Sequence, residues 1–167
     1  MEELKNDFSQ DLSDKVVEMM ALFKGKSLEN FPVQCLTRWI GGTLTDVKRG
    51  EINMEVTVTH DMTNPAGFFH GGAQCAMIDD AMGYACATLG YMKQFLSTNL
   101  TVDYLGTAGA GDRVSVKAYI YREGKSMMHA VGEIIKDGVV ITKAQSNLFI
   151  SGRPVDFARF ASGFSKK

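Results

Sequence analysis

The stretch from Ala73 to Gly90 constrains this chain more than any other. Twelve of its eighteen residues are apolar, β-branched side chains are almost absent, and the apolar positions run nearly all the way round a helical wheel. Residues of that kind favour helix over strand. A helix apolar on every side must be enclosed by the rest of the fold. Around it the pattern changes. Residues 36–47 and 51–59 read as extended segments separated by Lys48-Arg49-Gly50, and Ile52, Met54, Val56 and Val58 alternate strictly. That predicts a hairpin with one buried face. A polar, Gly/Pro-marked loop runs from His60 to Phe69 and leads into the helix, expected over 72–91. Four more extended runs follow, 97–105, 112–123, 126–137 and 139–150, with Gly124-Lys125 and Asp137-Gly138 as hairpin turns. Strands and helices do not alternate, which argues against a parallel doubly wound sheet. The expectation is an α+β domain, an antiparallel sheet of about six strands wrapped around a long central helix.

Residues 8–24 place Phe8, Leu12, Val16, Met19, Met20 and Phe23 on one helical face, with Ser9 as N-cap and Gly25 as the end. This predicts an N-terminal helical extension over residues 1–30, packed on a main domain over 31–155. A C-terminal tail, 156–167, follows and is expected to fray at Ser162–Lys167. The 167 residues suit one main domain, and a core of that size needs no metal or disulfide staple.

Composition narrows the partners. A net charge of −1 lacks the basic surplus that nucleic-acid binding normally shows. The N-terminus has neither a basic nor an apolar signal region, and no run approaches the ~20 apolar residues of a membrane span. The three cysteines are odd in number and form no CxxC pair. Cys75 and Cys86, if on one helix, stand roughly 16 Å apart, too far for a disulfide. A cytoplasmic protein with no nucleic-acid or membrane partner is expected, in which the Asn99-Leu100-Thr101 sequon has no consequence.

Two features carry chemistry. Asp79 and Asp80 interrupt the most apolar helix, and a carboxylate there needs compensation. Asp79 shares its helical face with Cys75, Ala76, Met82, Gly83 and Cys86, several of them small enough to leave room for a ligand, so it is a candidate base or nucleophile. Asp80 is expected to reach solvent or a subunit boundary. The second feature is Phe68-Phe69-His70-Gly71-Gly72, where the loop becomes helix. Two glycines there leave backbone N–H groups open, at the positive end of the helix dipole. Such a site can grip a carbonyl oxygen that becomes an oxyanion. The histidines at 60, 70 and 129 show no ligand spacing, so neither metal nor redox cofactor is expected. A Cys75 nucleophile is the weaker arrangement, since an apolar helix raises a thiol's pKa.

Asn64-Pro65-Ala66-Gly67-Phe68-Phe69-His70-Gly71-Gly72, followed by Asp79-Asp80-Ala81-Met82-Gly83 and then by Ser97-Thr98-Asn99-Leu100-Thr101-Val102-Asp103-Tyr104-Leu105, resembles the signature of hotdog-fold acyl-CoA thioesterases. The likeness is to the phenylacetyl-CoA thioesterase and thioesterase superfamily member 2 type, over roughly residues 36–150. It implies a hotdog fold and hydrolysis of an acyl- or arylacyl-CoA thioester. Asp79 would be the general base or nucleophile, the Gly71 amide would polarise the carbonyl, and Ser97 would hold the water. Asn64 would reach Asp79 across a subunit boundary and orient water or thioester. His70 would fix the loop, with Gly72 and Thr98 also at the substrate. Where the family has an Arg-Pro-Ala segment this chain has Gly106-Thr107-Ala108, so Arg122 and Lys125 become the candidates for the CoA phosphates. Phe68, Phe69, Met77, Met82 and Tyr84 are candidates for an acyl tunnel. A homodimer or homotetramer is implied. The rival readings are an acyl-CoA-binding hotdog module without turnover and a hotdog dehydratase acting on a hydroxyacyl thioester.

Overall fold

The computed structural model describes residues 8–31 and 35–155. A seven-stranded antiparallel sheet wraps one side of a 17-residue helix, α3 (Gly71–Ala87). Its strands are β1 (Thr43–Lys48), β2 (Glu51–Thr57), β3 (Lys93–Ser97), β4 (Thr101–Tyr104), β5 (Arg113–Glu123), β6 (Met127–Lys136) and β7 (Val139–Pro154). The order across the sheet is β1-β2-β5-β6-β7-β3, and β4 pairs with β7 on the edge that β3 also uses. Two further helices precede the sheet and the central helix, α1 (Gln10–Ala21) and the short α2 (Leu36–Ile40).

Alternation puts Ile52, Met54 and Val56 of β2, Val114, Val116 and Ala118 of β5, and Met128, Ala130 and Ile134 of β6 on the inner face. They pack against Met77, Ile78, Ala81, Met82, Ala85 and Cys86 of α3, all fully buried. Each large side chain so buried contributes roughly 1.5–3 kcal/mol. Gly132 lets the layers meet: a Cβ there would lie 2.5 Å from Ile78 Cγ2. Asp137 (φ 50) and Gly138 (φ 79) both take positive φ, as the two-residue turn between β6 and β7 requires.

The expected strand over 36–47 begins late, because Leu36–Ile40 is α2. One helical turn aims Thr37 and Ile40 the same way, onto buried positions beside α3, and that tertiary demand overrides the strand-like composition. The run 97–105 holds β4 and only the last residue of β3, which begins at Lys93, so there are seven strands rather than about six. Ser97 pairs with Leu148 and Thr101 with Gln145, leaving three residues opposite two. The excess forms a bulge, where Thr98 and Asn99 bond to the backbone of Asn147. Ser9 caps α1 as expected, accepting from the Leu12 N–H, but the helix stops at Ala21. Gly25 instead donates its N–H to Leu44 O at 3.0 Å, turning the chain alongside β1. α3 ends at Ala87, before the 91 expected, where the Thr88 hydroxyl bonds Ala85 O and accepts from Gly50 N–H.

The larger correction concerns enclosure. Gly72, Asp79, Gly83 and Ala87 are exposed, and Cys75, Ala76, Asp80 and Tyr84 are partly so. These positions recur every three or four residues, so α3 is open along one face. Small residues read as apolar on a wheel, yet little is lost when they meet water. The tail 156–167 lies outside the described residues.

Candidate active site

The loop before α3 is built by Asn64. Its Oδ1 accepts from the N–H groups of Ala66 and Phe68, at 3.0 and 3.1 Å, and its own N–H donates to Phe68 O. The returning segment is tied down by Phe69 N–H to Ala108 O and His70 N–H to Met62 O, both 2.8 Å. This accounts for the departure at Gly106-Thr107-Ala108. Ala108 is buried as the anchor of the loop, and a Cβ on Gly106 would lie 2.9 Å from Ile141 Cγ2.

His70 is the N-cap of α3: its Nδ1 accepts the Gly72 N–H at 2.8 Å. The Gly72 amide is thereby occupied, while the Gly71 N–H has no hydrogen-bond partner among the described residues. It stands at the positive end of a long helix, a position suited to a carbonyl oxygen.

Two turns further on, Ser97 Oγ donates to Asp79 Oδ1 at 3.0 Å. β3 brings Ser97 there, and the bulge at 98–100 holds it, since Thr98 donates to Asn147 O through both N–H and hydroxyl. Asp79 and Ser97 share an open hollow of about 410 Å³ with Cys75, Ala76, Thr98, Asn99 and Leu100. Asn64 and Gly71 do not line it. Gly71 and Asp79 are eight residues apart on one helix, roughly 12 Å. An oxyanion donor must lie about 3 Å from the oxygen it stabilises, and a general base acts at similar range or through one water. One thioester cannot satisfy Gly71 and Asp79 of the same chain.

Asp80 faces elsewhere. Its carboxylate accepts from Thr37 Oγ1 at 3.0 and 3.2 Å, and Tyr84 OH lies 2.7 Å from the same hydroxyl. Burial, opposed by the Thr37 bond and reinforced by Asp79, pushes the Asp80 pKa up to about 6. It stays partly exposed on the flank of α3, outside the Asp79 hollow. Cys75 Sγ lies 3.2 Å from Tyr104 OH, which also donates to Gly71 O. Burial pushes the Cys86 thiol up to about 12. Cys75 thus meets a tyrosine rather than a histidine base. The described residues include no cluster of three His, Cys, Asp or Glu placed to hold a metal.

Arg122 and Lys125 line a groove of about 500 Å³ with Tyr121, Ser126, His129 and Asn147. Arg122, His129 and Asn147 form one row across β5, β6 and β7, and Thr98 bonds to Asn147. The basic groove and the Asp79 hollow therefore adjoin at the β3–β4 bulge. Of the side chains suggested for an acyl tunnel, Phe69, Met77 and Met82 are core, Phe68 is exposed, and Tyr84 lines a cavity. Sequence reasoning missed Tyr104 and Thr37. Tyr104 lay in the stretch that carries the resemblance but was given no role there, and Thr37 lay in a segment read as strand.

A long helix held in an antiparallel sheet is the hotdog arrangement, here with a carboxylate facing a serine of the adjoining strand. Residues 66–142 match the family model described as Thioesterase superfamily. The human acyl-coenzyme A thioesterase 13 is 24% identical over a match of 106 residues that covers 58% of this chain and 74% of that protein. A phenylacetic acid degradation-related protein from Ralstonia eutropha, 28% identical, superposes with a TM-score of 0.65 over 71% of this chain and 92% of its own. The Escherichia coli PaaI protein of the phenylacetic acid degradation operon shares the fold at a TM-score of 0.70 and 21% identity, over 86% and 98% of the two chains. The resemblance to the hotdog thioesterases, including its phenylacetyl-CoA branch, is borne out.

Proposed function

We propose that the protein hydrolyses an acyl- or arylacyl-CoA thioester with Asp79 as its base. The observation that carries this reading is the 3.0 Å bond from Ser97 Oγ to Asp79 Oδ1 at an open hollow. A carboxylate so oriented can take a proton from water while its oxygen attacks the thioester carbon. The carbonyl becomes an oxyanion at the Gly71 amide, and collapse expels the CoA thiolate, which then takes up a proton. Direct attack by Asp79, through a mixed anhydride that water opens, uses the same placement.

The 12 Å between Gly71 and Asp79 supports a site shared by two chains, Gly71 and Asn64 from one and Asp79 and Ser97 from the other. We read the working unit as a homodimer, or a homotetramer of two such dimers. Arg122 and Lys125 would hold the CoA phosphates in the adjoining groove. Neither metal nor redox cofactor enters these steps, and dialysis against EDTA should leave the rate unchanged. Three free cysteines suit a reducing, cytoplasmic compartment.

The experiment is a panel of acyl-CoAs with release of free CoA measured for the wild type and Asp79→Asn. Turnover lost with Asp79 supports the reading. Binding without turnover in the wild type would make the protein an acyl-CoA-binding module instead, and hydration of an enoyl thioester would make it a dehydratase.

A further inference from the structure

From the Asp79–Ser97 contact, α3 and β3 run side by side in opposite directions. Four residues along α3, about 6 Å, bring Gly83, and two residues along β3, about 7 Å, bring Phe95 on the face that carries Ser97. One further step on α3 brings Ala87. These residues line an apolar cavity of about 290 Å³, closed on the other side by Val16, Met19 and Met20 of α1. Its nearest α3 residue, Gly83, lies one helical turn from Asp79.

We infer that this cavity holds the acyl group and that the substrate is a straight medium-chain acyl thioester of about eight to ten carbons. The inference rests on the thioesterase reading. Size supports it twice. At about 30 Å³ for each methylene-sized group, 290 Å³ takes roughly ten of them. The run from Asp79 to Ala87 is roughly 12 Å, close to the extended length of such a chain.

Gly83 supports it independently. A Cβ there would meet nothing within 4 Å, so packing does not require a glycine. Mid-helix glycine costs about 1 kcal/mol relative to alanine. What its missing side chain leaves open is the mouth of the cavity, one turn from Asp79. The polar end of Tyr84, another lining residue, is turned away toward Thr37, so its ring is what the cavity meets.

The test compares kcat/KM from acetyl-CoA to hexadecanoyl-CoA for the wild type, Gly83→Leu and Ala87→Phe. Leucine favours helix and has open space at position 83, so that variant should fold. The wild type should prefer octanoyl- and decanoyl-CoA. Gly83→Leu should lower the decanoyl-to-acetyl ratio at least ~tenfold, as losing several buried methylenes predicts. Ala87→Phe, placed deeper, should move the optimum to an intermediate length. Binding of the non-hydrolysable thioether S-decyl-CoA, read by calorimetry, should weaken by at least ~tenfold in Gly83→Leu relative to free CoA.

If the wild type hydrolyses acyl-CoAs and folded variants keep its length profile, the inference fails while the thioesterase reading stands. A change in melting temperature or oligomeric state with an unchanged profile would assign the cavity to residues 156–167 or to a second copy, and would overturn the inference. Absence of any acyl-CoA hydrolysis or binding would take down both.

Discussion

Asp79 and Asp80 are neighbours in the chain but face opposite surroundings: Asp79 lies exposed beside Ser97, while Asp80 is held under α2 by the hydroxyl of Thr37. A helix turns about 100° per residue, so one step carries a side chain from the open face of α3 to its flank.

Asp79→Asn should lower kcat by at least ~100-fold with the fold and acyl-CoA binding retained, since loss of a general base typically costs 10²–10⁴. Asp80→Asn should cost far less. Steady-state rates together with calorimetric binding check this, and a crippled Asp80 variant beside a nearly normal Asp79 variant would reverse the assignment.

Ser97 donates a hydrogen bond to Asp79, and on the proposed mechanism its effect should vanish when Asp79 is gone. Ser97→Ala is expected to lower kcat about tenfold in the wild-type background and hardly at all in Asp79→Asn, because groups working as one unit are not additive. A double-mutant cycle measures this. Equal losses in both backgrounds would show that Ser97 works independently.

Asp80 makes stability depend on pH with a definite sign. Its folded pKa is about 6 against an ordinary 3.8, so between those values the folded chain binds more protons than the unfolded one. Stability therefore falls as pH rises through that window and levels off above it. The loss is on the order of 3 kcal/mol. Asp80→Asn keeps an acceptor for Thr37 and removes the titration. Its melting temperature should match the wild type near pH 4 and exceed it by several degrees at pH 7–8, and parallel melting curves across that range would contradict the prediction.

Arg122 and Lys125 should serve the phosphates and not the thioester. Reversing both charges should raise KM for acyl-CoA at least ~tenfold, weaken its salt dependence, and leave the N-acetylcysteamine thioester of the same acyl group unaffected. Equal losses on both substrates would remove the groove from CoA binding.

Shared sites predict complementation. Asn64→Ala and Asp79→Ala homodimers should both be nearly inactive. Refolded together, they should form heterodimers with one intact and one doubly damaged site. Random pairing makes half the dimers mixed, so about a quarter of wild-type specific activity should return. With subunit exchange verified by mass spectrometry, a mixture as inactive as its parents would place the site within one chain.

The local code of this chain is strong where a pattern depends on neighbours in sequence. Alternation at Ile52, Met54 and Val56, the turn at Asp137-Gly138, the Ser9 cap and the helical run after Gly71 each follow from side-chain period or backbone preference, and each is present in the fold. So is the His70-Gly71-Gly72 entry, although only the Gly71 amide lacks a partner among the described residues, since Gly72 donates to His70 Nδ1. Tertiary structure decided what depends on distance. Ser97 meets Asp79 because β3 is pinned by a bulge against Asn147, and no property of residues 97–100 alone specifies that partner. Thr37 caps Asp80 because α2 has to bury Ile40. Which side of α3 stays open was hidden for a related reason: glycine, alanine and cysteine look alike on a helical wheel whether they touch a sheet or water. Only the path of the sheet, which covers Met77, Ile78, Ala81 and Met82 and leaves Asp79, Gly83 and Ala87 uncovered, separates a packed face from a binding face.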